Sequence, residues 1–61
     1  MTTNQTNQAT WLTQVDALRA RQVANVEAAW SYRDRGDDER AAAFDAAAQS
    51  DYAELVAMGA M

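Results

Sequence analysis

From about Thr10 to Arg35 the apolar residues recur at helical spacing. Plotted at about 100° per residue, Trp11, Leu12, Val15, Leu18, Val23, Val26, Ala29 and Trp30 fall within one arc of about 140°, which predicts a helix with a broad core-facing side. The opposite side carries Thr13, Asp16, Ala20, Ala24, Glu27 and Ser31. A second arc of about 120° gathers Ala41, Phe44, Ala48, Tyr52, Leu55 and Val56, with Met58 just beyond its edge, and predicts another helix over about 37–58.

Stop and start signals abut between the two. Arg33 and Arg35 sit in the last turn of the first helix, where its dipole favours cations, and Gly36 is suited to the left-handed residue that ends a helix. Asp37 then reads as an N-cap, with Asp38 and Glu39 in the following turn, where negative charge is favoured. Thr10 is the expected cap of the first helix. The expected fold class is therefore all-α: a two-helix antiparallel hairpin, with a helix over about 10–35, a turn at 36 and a helix over about 37–58. The second stripe is rich in Ala, which lets helix axes approach closely. Counting outward from Gly36 sets Trp30 at the level of Phe44, as a core pair, and Trp11 near Met58 at the open end. Residues 1–9, mostly Thr, Asn and Gln, are expected to form a flexible polar leader, and 10–61 the single domain.

Composition narrows how such a hairpin is stabilised. The chain has 61 residues, below the roughly 70 to 80 at which one core comfortably stabilises itself. With no Cys and no His, neither a disulfide framework nor a zinc site supplies the difference. Fifteen Ala, two Gly and no Pro favour helix. Two helices cover only one side of arcs this wide, so self-association into a four-helix bundle, or docking on a partner, is expected to complete the fold.

Net charge is −4 and every cation is Arg, an overall balance that repels a phosphate backbone, so direct nucleic-acid binding is not expected. No apolar run approaches the roughly 20 residues of a membrane span, and no membrane partner is expected. Without the basic start, apolar stretch and small-residue cleavage site of a secretory signal, the expected location is cytoplasmic or virion-associated.

Little in the chain supports catalysis. There is no His to shuttle protons and no Cys nucleophile, Ser31 and Ser50 have no evident base, and no enzyme activity, cofactor or metal is expected. Arg35-Gly36-Asp37 spells an adhesion tripeptide, but helix-end chemistry already accounts for it. The acidic residues around that turn lack the ligand order of an EF-hand. Arg19 lies inside the apolar arc and Asp51 at the edge of the other, so the two are expected to pair across the seam, with Asp16 as a more exposed alternative partner for Arg19. Tyr32, Gly36, Ala41 and Ala48 sit at spacings that resemble part of a tetratricopeptide repeat. Phe44 is one place early, Asn25 stands at the repeat's Trp position and no Pro closes the unit, so no role is carried over. The length and layout also look like small dimeric plasmid regulators built as four-helix bundles, in architecture only.

The function expected from these features is a small non-enzymatic protein–protein interaction module: an adaptor, an assembly subunit or an inhibitor of a larger protein. It would act through an apolar helix face, with a second copy of itself or a larger protein as partner. Trp11, Leu12, Val15, Arg19 and Met58 are the candidate contact residues, because the open end leaves Trp11 thinly covered. The alternative is an acidic nucleic-acid mimic, of the kind some phages encode, that occupies the binding groove of another protein. Asp38 and Asp45 share a direction for that role, whereas Asp51 and Glu54 point elsewhere.

Overall fold

The computed structural model describes residues 3–61, and the side chains from residue 8 onward. Two helices, α1 (Thr3–Asp34) and α2 (Asp38–Ala57), pack against each other as an antiparallel hairpin measuring 53 × 16 × 13 Å. All regular structure among the described residues is helical. α1 starts at Thr3, so Thr10 is an interior residue and not its cap. The stretch before Trp11 contains no Gly or Pro, and extending an existing helix gains a hydrogen bond for each residue fixed, so nothing local stops the helix at Thr10. Within it Thr13 donates its hydroxyl to the Ala9 carbonyl at 2.9 Å, satisfying a polar side chain on the outer face.

The turn is built from backbone bonds. Gly36 N–H donates to the Arg33 carbonyl at 3.0 Å and Asp37 N–H to the Tyr32 carbonyl at 2.9 Å, the paired bonds of a Schellman motif, with Gly36 at φ +81°. Asp37 caps α2, its Oδ1 accepting from the Arg40 N–H at 3.2 Å. α2 ends the same way. Gly59, at φ +76°, donates to Val56 and Ala60 N–H donates to Leu55. A Cβ added at Gly36 would meet nothing within 4 Å, so the cost of a side chain there is backbone strain alone. Gly36→Val is expected to destabilise by about 1–2 kcal/mol, read by thermal melting followed by circular dichroism. An unchanged melting temperature would show that the positive φ is not required.

The seam has two zones. Near the open end Val15, Leu18 and Leu55 form a buried cluster, with Met58 and Ala60 packed against it. Nearer the turn Ala29, Ala41 and Ala48 are buried, and Tyr32 stacks on Phe44 with centroids 5.4 Å apart and planes 9° from parallel. Trp30 is not part of this core, contrary to the sequence expectation, and the place opposite Phe44 belongs to Tyr32. Small residues at the closest approach explain the difference. With Ala29 centred on the seam, Trp30 is turned about 100° away from it.

The expected Arg19–Asp51 pair is likewise replaced. Asp51 is buried, and its Oδ1 accepts from Arg21 Nε at 2.9 Å and lies 2.8 Å from Arg21 Nη2. Its Oδ2 accepts from Asn25 Nδ2 at 2.9 Å. Arg19 and Arg21 are about 200° apart around α1, so they flank opposite edges of the seam, and only Arg21 is on the edge that meets Asp51.

Candidate interaction surface

The apolar arc of α1 is wider than α2 covers. Val15, Leu18 and Ala29 occupy the half that faces α2. Leu12, Val23 and Trp30 occupy the other half and are 53%, 55% and 60% exposed. Val23 and Trp30 belong to an open groove lined by Gln22, Val23, Val26, Glu27, Trp30, Ser31 and Asp34, all from α1. Tyr52 and Val56 are exposed on α2. The polar pairs show which flank they share: Arg21 and Asn25 meet Asp51 on one side of the hairpin, with Glu54 3.8 Å from Arg21. Leu12, Val23 and Trp30 point to the other edge of α1, and Tyr52 and Val56 to the other edge of α2, so the hairpin has one polar flank and one flank rich in exposed apolar side chains.

Of the residues singled out from sequence, the structure brings Trp11, Arg19 and Met58 together at the open end. Trp11 Nε1–H donates to the Met58 carbonyl at 2.8 Å, and Arg19 Nη2 donates to the Ala60 carbonyl at 3.2 Å. These two contacts hold the end of α2 to α1. Val15 is in the core and Met58 packs beside it, leaving Leu12 as the one apolar residue of the five on the broad exposed face. Val23, Trp30, Tyr52 and Val56 were not singled out as contact residues. Their signal was the excess width of the arc, which reveals that some apolar surface stays uncovered without revealing which half.

The charges divide unevenly. All five Arg are engaged within the chain: Arg19 on the Ala60 carbonyl, Arg21 on Asp51, Arg33 on Asp45, and Arg35 and Arg40 over the Tyr32 ring at 5.3 and 5.7 Å. The hydrogen bond from Arg21 to Asp51, then the charge of Asp51, raises the Arg21 guanidinium further above its ordinary pKa. Asp16, Glu27 and Asp34, in contrast, form no ion pair among the described residues.

Among the described residues no three His, Cys, Asp or Glu side chains are grouped to hold a metal ion, and no helix is long and apolar enough to cross a membrane. Comparisons with protein-family models, curated proteins and solved structures found no match for the chain.

Proposed function

We propose that the chain is a small non-enzymatic interaction module that binds another polypeptide through the exposed apolar flank of α1. The observation that carries this reading is the line of Leu12, Val23 and Trp30. Each is more than half exposed, although Val15, Leu18 and Ala29 of the same helix are buried. Trp is highly buried on average, and it is over-represented where binding energy concentrates. The nucleic-acid-mimic reading has less behind it, because Asp45, Asp51 and Glu54 each lie within ion-pair distance of an Arg of the same chain.

Replacing Trp30 with a photoreactive aromatic residue in the native host tests the proposal. Irradiation is expected to give a discrete adduct with a polypeptide from position 30. The same residue at Ala46, exposed on the outer side of α2, is expected to give none. Equal adducts from both positions, or none from position 30, would remove the apolar flank as the working surface.

A further inference from the structure

The three large apolar residues of α1 that are more than half exposed are each followed four positions later by a carboxylate: Leu12 by Asp16, Val23 by Glu27 and Trp30 by Asp34. Residues four apart lie side by side on a helix surface, so the apolar stripe has an acidic border along its length. The groove itself contains Glu27 and Asp34 and no cation. None of the three acids lies within ion-pair distance of an Arg of the same chain; Arg19, on the same edge of α1, is turned to the Ala60 carbonyl, and the other four Arg are held by Asp51, Asp45 and the Tyr32 ring.

Resting on the reading of this flank as a binding surface, we infer that its occupant is a basic amphipathic helix of another protein, with Lys or Arg beside an apolar stripe, and not a second copy of this chain. A second copy brings the same net charge of −4. In an antiparallel two-fold pairing of α1 with itself, like flank meets like flank and the acidic borders face each other. In a parallel pairing the acidic border meets the flank that carries Arg19 and Arg33, already held by the Ala60 carbonyl and Asp45. A foreign cation has no such competitor. The shape also suits a helix: from Leu12 to Asp34 the stripe runs straight for about 33 Å, the length of an apolar helix face of about 22 residues.

Three labelled 20-residue helical peptides test this, identical in their Leu positions at i, i+3, i+4 and i+7 and differing only in whether Lys, Gln or Glu flanks the Leu stripe. Fluorescence anisotropy with the full chain is expected to show the Lys peptide binding at least about tenfold more tightly than the Gln peptide, and the Glu peptide most weakly, with the spread shrinking at high salt. Asp16→Asn combined with Glu27→Gln is expected to lose most of the Lys preference. The charge-matched pair Glu39→Gln with Glu54→Gln, on the outer and polar sides of α2, is expected to keep it, which separates a sited effect from net charge. Trp30→Ala is expected to weaken every peptide. Equal binding of all three peptides, still dependent on Trp30, would overturn the basic partner while leaving the apolar flank as the binding surface. Light scattering that gives twice the chain mass, with no peptide bound, would make a second copy the occupant and overturn the inference. A monomer that binds no peptide would overturn both this inference and the binding surface it rests on.

Discussion

Leu55→Ala is expected to remove a large part of the stability of the chain, about 2–5 kcal/mol. Among the described residues Leu55 is the largest fully buried side chain, with no exposed area, and it is one of the three residues of the buried cluster Val15, Leu18 and Leu55. Truncating such a residue costs about 2–5 kcal/mol, from lost transfer energy and from the cavity left behind. At about 0.05–0.15 kcal/mol per residue, a chain of this size has roughly 3–9 kcal/mol in all, so one substitution removes much of the margin. Urea unfolding followed by circular dichroism reads the loss. Trp30→Ala deletes a larger side chain, yet it is expected to change stability by no more than about 0.5 kcal/mol, because the ring is mostly in solvent already. If Trp30→Ala proves the more damaging of the two, the seam is formed by the other half of the α1 arc.

Asp51→Ala is expected to cost about 2–3 kcal/mol. Asp51 is 4% exposed and satisfied on both oxygens, by Arg21 and by Asn25. Its removal leaves the partly buried Asn25 amide without its acceptor, while Arg21, largely in water, rehydrates easily. That asymmetry keeps the cost below that of stranding a buried cation. Asp51→Asn retains the volume and one acceptor and is expected to fall between the parent and Ala. Denaturant midpoints of the three proteins give the order directly, and an Ala variant as stable as the parent would mean that the pair contributes nothing net.

The turn was readable because it is local chemistry: Gly36 and Asp37 adopt the roles that their neighbours in sequence require, whatever packs on them. Gly59 repeats that chemistry at the end of α2, and the same reasoning would have identified it. What sequence could not supply was the rotation of each helix about its own axis. An apolar arc of about 140° has a buried half and an open half, and only the close approach at Ala29, Ala41 and Ala48 decides between them. Trp30 and Arg19 were misplaced for this one reason, since both lie toward the edge of the arc that turns away from the Ala seam. The level of Trp11, by contrast, followed from counting residues along the arms, and it does meet Met58.

The two contacts that hold the open end, from Trp11 to Met58 and from Arg19 to Ala60, both use main-chain oxygens of the α2 terminus. A carbonyl is present whatever side chain its residue carries. Drift in the identities of residues 58 and 60 therefore leaves the acceptors in place as long as the left-handed Gly59 keeps them aimed at α1. On the α1 side no such freedom exists, because each donor is a side-chain group that few other residues reproduce. For these two hydrogen bonds the arms thus have unequal mutational tolerance: α1 must keep its donor side chains, whereas the end of α2 need keep only its path, the packing of Met58 and Ala60 on the buried cluster being a separate demand.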